Sequence, residues 1–125
     1  MNEGGASPAP VLLHFPVQVP ADPRWFDAHF PGQPIVPGVV LLATLEAGCR
    51  AACGADGMLR AVRHLRFLVP VQAPLTLLAS VSVRGDWLHC TLAVPAPCGD
   101  GPATDVLRAQ LRFEAFRLGE GSATP

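Results

Sequence analysis

The sequence has no lysine, no tyrosine and a single isoleucine, whereas alanine, arginine, glycine and proline are abundant. This bias is typical of GC-rich coding and indicates little about function. Charged residues are also scarce, at 15%, and half of the 125 residues are apolar. A monomer of this size exposes much of its surface to water, so the composition is unusually apolar. We therefore expect part of this apolar surface to be buried between subunits.

Three further absences narrow the classes of function. The formal net charge of -1 provides no basic field of the kind that general nucleic-acid binding requires. No run of residues approaches the roughly 18 apolar residues of a membrane span. No basic segment followed by an apolar one opens the chain, so we expect no secretory signal and a cytoplasmic location.

The four cysteines lack the partners that a zinc site needs. Cys49 and Cys53 are one helical turn apart, but no histidine or cysteine follows them at zinc-binding spacing. In a reducing compartment the cysteines remain thiols. We predict small buried side chains at these positions, with no metal and no cofactor.

The length predicts one domain that spans residues 1–125. Residues 1–9 and 118–125 are small, polar and rich in proline and glycine, and we expect both segments to be flexible tails. Between them, alternation over residues 11–19 predicts a strand, which Pro16 restricts to a sheet edge.

One helix and four strands are predicted after the first strand. The helix extends from Gly38 to about Cys53 and is followed by Gly54, a stop signal. Its first two turns are apolar all round, so we expect it to be enclosed on most sides. Alternating apolar residues predict strands over residues 65–69, 75–83, 88–94 and 107–115. Because crossover helices are missing, the pattern favours an α+β fold with an antiparallel sheet around one central helix.

The segment HFPGQPIVPGV, which starts at His29, resembles the signature of the β-hydroxyacyl-ACP dehydratases of the FabA/FabZ type. Within that family it is similar to the ApeI-like dehydratases of aryl-polyene biosynthesis. The segment FLVPVQAPLTL is also similar to this family, although its usual Pro-Gly-Asp is replaced by Gln72, Ala73 and Pro74. The resemblance covers about residues 11–117 and implies the hotdog fold, whose sheets commonly pair across two subunits.

The resemblance implies dehydration of 3-hydroxyacyl-ACP thioesters to trans-2-enoyl-ACP in fatty-acid or polyene biosynthesis. This reaction needs a base for the α proton, a polarising group for the thioester carbonyl and an acid for the departing hydroxide. His29 matches the family's base, and Gly38 matches the glycine whose N–H points at the thioester oxygen. The apolar helix face lines an acyl tunnel, and we assign substrate-binding roles to four residues: Phe30, Pro37, Val39 and Ala43.

The family's acid is missing from this chain. The family has Glu or Asp fourteen residues after the histidine, where this chain has Ala43, and its later glutamine is replaced by Ala47. Glu46 is the only carboxylate on the predicted helix. It is either a relocated catalytic acid or a surface partner of Arg50 at i+4.

Three functions therefore remain open. The first is a dehydratase with His29 and a non-standard acid. The second is a catalytically incomplete subunit that acts in a heterodimer with another hotdog protein, and the third is an acyl thioesterase. We expect a homodimer, or a heterodimer with another hotdog protein, whose partner is an acyl carrier protein. Four arginines after the start of the helix either contact the acidic surface of that carrier protein or form a solvated face: Arg50, Arg60, Arg63 and Arg66. We interpret the three remaining histidines as structural: His14, His64 and His89.

Overall fold

The computed structural model describes residues 12–20, 35–73, 75–96 and 101–115, so His29 and Phe30 lie outside the described residues. No helix in these ranges is long and apolar enough to cross a membrane. The described elements are β1 (Leu12–Val19), α1 (Gly38–Cys53), β2 (Asp56–Phe67), β3 (Leu75–Arg84), β4 (Trp87–Val94) and β5 (Thr104–Ala115).

The five described strands form one sheet in the order β1-β3-β4-β5-β2, and every neighbouring pair is antiparallel. The predicted order of one strand, one helix and four strands is thus confirmed. Strands β1 and β2 are the edges of this sheet. Pro16 lies in β1 opposite Leu78, so the edge position that its missing N–H requires is also confirmed.

The predicted bounds of β2 are wrong. The strand begins at Asp56, well before the alternation that starts at Leu65, and it ends at Phe67, so Val69 lies beyond it. Three register shifts interrupt its pairing with β5. Each irregularity changes which face the following residue occupies, so the period-two pattern is lost from the sequence. In β5, Ala115 is exposed although its alternation predicted an inward position.

The core lies between α1 and the inner face of the sheet. The helix buries Leu41, Leu45, Cys49 and Cys53, which form one stripe because they are four residues apart. Each fully buried leucine contributes about 1.5–3 kcal/mol relative to an exposed one. The leucines that are almost wholly removed from solvent are Leu45, Leu77, Leu88, Leu92, Leu107 and Leu111.

The C-terminal end of α1 confirms the predicted stop. Gly54 has φ 70° and ψ 25°, the left-handed conformation that commonly ends helices and that glycine adopts without steric cost. Its N–H donates to the Cys49 carbonyl, which also accepts a hydrogen bond from the Ala55 N–H at 3.4 Å. Arg50 lies in the last turn, where its positive charge interacts favourably with the helix dipole.

The expectation that α1 is enclosed on most sides is wrong for the single chain. Val39 is 75% exposed, and Ala43 and Ala47 are exposed as well. The helix buries one narrow stripe, and the opposite stripe has no cover from the described residues. We call this second stripe, formed by Val39, Ala43 and Ala47, the open face of α1.

The core also contains three free thiols, which belong to Cys49, Cys53 and Cys90. The sulfur atoms of Cys49 and Cys90 are 4.0 Å apart and join α1 to β4. The pKa of the Cys53 thiol is raised well above its ordinary value, mainly by a hydrogen bond with Cys49 and secondly by burial. The prediction of buried thiols is confirmed for these three residues, and Cys98 lies outside the described residues.

Gly48 allows β1 to approach the helix closely. A Cβ atom at this position would lie 2.8 Å from Phe15 Cε2 and 2.9 Å from Val17 Cγ1. We predict that Gly48→Ala destabilises the fold by about 1 kcal/mol, because overpacking costs about 1–3 kcal/mol and the gain in helix propensity offsets about 1 kcal/mol. Urea unfolding measures this change. The double variant with Val17→Ala should recover part of the loss, and a more stable single variant would contradict the prediction.

Candidate functional site

The N-terminus of α1 has no side chain that caps it. Pro37 occupies the N-cap position in an extended conformation, no side chain makes a capping hydrogen bond, and no acidic residue lies in the first turn. The amides at the start of a helix have no partner within the helix and carry its partial positive charge. The Gly38 N–H is the first of them. This end of α1 can therefore stabilise negative charge on a bound oxygen atom.

The segment that precedes the helix is fixed by the chain that follows β2. The Val36 N–H donates to the Val71 carbonyl at 2.9 Å, and Ile35 pairs with Gln72 in an antiparallel bridge. The Val40 N–H donates to the Pro37 carbonyl at 3.0 Å and closes the first turn. These bonds hold the helix start in one position, as an oxyanion-binding amide requires.

Gly38 is also required by packing. A Cβ atom there would lie 2.7 Å from Cζ and 2.9 Å from Cε1 of Phe67, distances that real Cβ atoms essentially never show. The Phe67 side chain at the end of β2 therefore lies directly over the first turn of α1. Glycine, which has no Cβ atom, allows this close approach.

An apolar groove of about 620 Å³ lies at this end of the helix. We call it the N-terminal groove. Its volume and its apolar lining suit an acyl chain. Its lining includes Pro37, Gly38, Val39, Leu42, Phe67 and Leu68. The first three of these are predicted from the sequence. Phe67 is predicted only as part of a strand, because no local signal in the sequence shows that the end of β2 meets the helix N-terminus.

A second groove, of about 550 Å³, separates α1 from β1. Val39, Ala43, Ala47 and Gly48 line its helix side, and Pro16 lies on its strand side. Val39 borders both grooves. Ala43, at the position where the resemblance predicts a carboxylate, thus lies in an open groove and not in a packed core.

Glu46 forms an ion pair with Arg50, with 3.1 Å between its Oε2 and Nη2 of Arg50. Both side chains are partly exposed, and neither borders the two grooves. The Arg50 guanidinium also lies 5.0 Å from the centre of the Phe113 ring. This arrangement is the i+4 pairing that the sequence analysis gave as the alternative to a catalytic role.

The fold separates the four arginines that the sequence places close together after the helix start. Arg50 lies on the helix, whereas the other three arginines lie on β2. Arg60 pairs with Glu114 at 2.8 Å, and Arg63 stacks on Trp87 at 3.7 Å from the ring centre. These arginines therefore do not form one patch around the candidate site.

The comparisons with known proteins bear on this site. Residues 10–86, more than half of the chain, match the family model described as ApeI-like, the ApeI dehydratase. The chain belongs to the ApeI-like dehydratase family. The matched region includes the described start of α1 and both grooves beside it. No curated protein matches the sequence.

Solved structures confirm the hotdog fold of this family member. An uncharacterised protein from Erwinia carotovora subsp. atroseptica has 17% identity and a TM-score of 0.66, with 86% of each chain covered. The dehydratase heterocomplex ApeI:P from Xenorhabdus doucetiae has 18% identity and a TM-score of 0.60, with 86% of this chain and 98% of that chain covered. The R-hydratase PhaJ1 from Pseudomonas aeruginosa has 12% identity and a TM-score of 0.53, with coverage of 86% and 82%.

The exposure of Ala43 makes a stability prediction possible. We predict that Ala43→Glu changes the free energy of unfolding by no more than about 0.5 kcal/mol, because a surface helix position tolerates glutamate. Leu45→Glu, two residues away on the buried stripe, should abolish folding because it buries a charge. Thermal unfolding of both variants measures the contrast. A large loss of stability in Ala43→Glu would show that this position is packed in the functional assembly.

Proposed function

We propose that this family member dehydrates 3-hydroxyacyl thioesters of an acyl carrier protein to trans-2-enoyl thioesters. The observation that carries this proposal is the uncapped start of α1 at Gly38, which borders an apolar groove of acyl-chain dimensions. His29, nine residues before Gly38, is the proposed base. Phe30, Pro37, Val39 and Ala43 are the proposed contacts of the substrate.

The proposed reaction divides its work between a side chain and a backbone amide. The His29 imidazole takes a proton from the α carbon, and the resulting negative charge spreads to the thioester oxygen. The Gly38 N–H donates to that oxygen, and a hydrogen bond to a charged group is worth about 1.5–3 kcal/mol. The helix dipole adds about 0.3–1 kcal/mol. The bond between the β carbon and its hydroxyl then breaks, and a proton from an acid converts the departing hydroxide to water.

The N-terminal groove supplies binding energy away from the reacting carbons. Each methylene that moves from water into an apolar groove contributes about 0.8 kcal/mol. Val39 and Phe67 both expose apolar surface there, so an acyl chain would cover side chains that the single chain leaves in solvent. This contribution holds the reacting carbons near Gly38 and lowers the entropic cost of the reaction.

Replacement of the proposed base tests the reaction. We predict that His29→Ala lowers turnover of a 3-hydroxyacyl carrier substrate by about 10²- to 10⁴-fold, because general base catalysis is lost. The variant should unfold at the wild-type temperature. The matched control is His14→Ala, which removes an exposed histidine whose ring bonds to Ser80 in the sheet. Near-normal turnover by His29→Ala would contradict the assignment.

We further propose that the acid comes from a second hotdog subunit. The resemblance implies that each site lies at a dimer interface and combines the histidine of one subunit with a helix carboxylate of the other. In a homodimer of this chain, both sites would have Ala43 in place of the acid. In a heterodimer with a complete partner, His29 would meet the partner's carboxylate and form one whole site.

Four observations support this division of the site. Ala43 is exposed in an open groove, so this position is available to a neighbouring subunit. Glu46 is engaged by Arg50 and does not border the groove. The open face of α1 and the exposed Phe67, Leu68 and Val69 leave apolar surface for a partner to bury. A structurally similar protein is a dehydratase heterocomplex, ApeI:P.

Introduction of a carboxylate at position 43 tests whether the general acid is missing from the homodimer. We predict that Ala43→Glu raises turnover by the homodimer, because a general acid is typically worth about 10²- to 10⁴-fold. Ala47→Glu is the matched control, since it adds the same carboxylate to the same helix face one turn later. Glu46→Gln should leave turnover unchanged. Loss of activity in Glu46→Gln without a gain in Ala43→Glu would instead identify Glu46 as the acid, and light scattering that shows only monomer would contradict the dimer.

A further inference from the structure

The outer face of the sheet, opposite α1, carries two rows of aligned side chains, and all but Leu12 are polar. The backbone register places five residues side by side across all five strands: His14, Ser80, Thr91, Arg108 and Arg66. The neighbouring row contains Leu12, Ser82, His89, Gln110 and Arg63. Basic and hydroxyl groups therefore meet on one surface, although they are widely separated in sequence.

Two arginines lie directly opposite each other in the first row. Arg66 on β2 and Arg108 on β5 are register partners, and like charges at directly opposed positions destabilise a sheet. Asp105 pairs with Arg108 at 2.8 Å. Within the described ranges, no carboxylate lies in ion-pair distance of Arg66. Among the described residues, the positive charge of Arg66 in this opposed pair is therefore not neutralised.

A strained residue brings a histidine side chain to this surface. The pairing of β2 with β5 is irregular between Arg63 and Arg66, and His64 within this bulge has φ 54°. A positive φ is uncommon for a residue other than glycine, and such strain concentrates at functional sites. Bulges also redirect side chains. In a regular strand, residues three positions apart point to opposite faces, but this bulge allows both Arg63 and Arg66 to take register positions in the outer rows. His64 lines the same groove as Arg66.

The pKa of His89, in the middle of the second row, is affected by the positive charge on this face. Burial lowers the pKa of its imidazole, and nearby positive charge lowers it further. The charged groups responsible are Arg84, Arg63 and His64. The elements around His89 also carry His14 on β1 and Arg108 on β5 in the adjacent row. An anion bound beside His89 would reverse this effect.

Side chains from both rows, together with His64 and Arg84, line a groove of about 480 Å³, which we call the outer groove. Guanidinium groups match phosphate oxygens with paired hydrogen bonds, and hydroxyl groups can donate to the remaining oxygens. Its lining includes Arg66, Arg84, Arg108, Ser80, Ser82 and Thr91.

We propose that the outer groove binds a phosphate group between Arg66 and Arg108. The phosphate neutralises the opposed pair, and the hydroxyls of Ser80 and Thr91 lie in the same row to complete its coordination. This site is on the opposite side of the sheet from α1, so it is separate from the proposed dehydratase site. The phosphate belongs either to a soluble ester or to a lipid headgroup.

The distribution of charge favours a phosphate over an acidic protein surface. The flanking arginines Arg63 and Arg112 are held on the Trp87 ring, at 3.7 Å and 5.4 Å from its centre. Arg63 also donates to Gln110 at 2.7 Å. The arginines that do not stack on Trp87, which are Arg66, Arg84 and Arg108, line one groove. Docking of an acidic protein would instead use charges spread over the whole face.

Isothermal titration calorimetry with inorganic pyrophosphate tests the proposal. Wild-type protein should show saturable binding, and Arg66→Gln and Arg108→Gln should each bind about tenfold more weakly, since each loses a charge-assisted hydrogen bond. Arg50→Gln is the matched control because it removes an exposed arginine from the helix side of the sheet. Pyrophosphate should also raise the pKa of His89 in NMR titrations of the wild type.

Vesicles with and without phosphatidic acid identify the source of the phosphate. Binding of pyrophosphate indicates a soluble ester, and binding of phosphatidic acid vesicles alone indicates a lipid headgroup. Absence of both, or unchanged affinity in Arg66→Gln and Arg108→Gln, would overturn the proposal. Equal affinity for a glutamate-rich peptide of the same charge would also overturn it, because the face would then recognise acidic proteins. Thermal unfolding should confirm that both variants fold, and their dehydratase turnover should equal that of the wild type.

Discussion

The packing of one stripe of α1 on the inner face of the sheet determines most other features of this molecule. Leu41, Leu45, Cys49 and Cys53 repeat every four residues, so they fix the rotation of the helix about its axis. The close contact of Gly48 with β1 fixes its distance from the sheet edge. Once this rotation is set, Ala43 must face the open groove, because it lies on the opposite side of the helix.

The same packing positions the helix start as a binding element. The Val36–Val71 hydrogen bond fixes the chain just before α1, and the Phe67 ring at the end of β2 packs on the first turn of the helix. An uncapped N-terminus in an apolar groove combines a positive partial charge with a low-polarity surrounding, in which electrostatic interactions are stronger than in water. In the proposed function, this site would bind the thioester carbonyl at the helix N-terminus and the acyl chain in the apolar groove.

The two faces of the sheet are divided between packing and charge. Inward positions of β3, β4 and β5 are almost entirely aliphatic, and outward positions carry the polar rows. The inner face supplies the stability, since burial of apolar surface is the main favourable contribution to folding. Opposed arginines on the outer face therefore persist despite their repulsion, which costs little beside the core.

The sequence by itself determined the helix bounds, the edge position of β1, the order of the elements and the family. Each of these depends on local signals: the segment without proline before Gly54, Pro16 within an alternating run, and the motif from His29 to Gly38. Only the tertiary structure decided the extent of β2, the pairing of Glu46 and the exposure of Ala43. Bulges remove the period of β2, and the sequence left two roles open for Glu46, between which only the observed ion pair decides. The exposure of Ala43 depends on which helix face the sheet covers. The meeting of Arg66 with Arg108 is likewise set by strand register, which no single segment encodes.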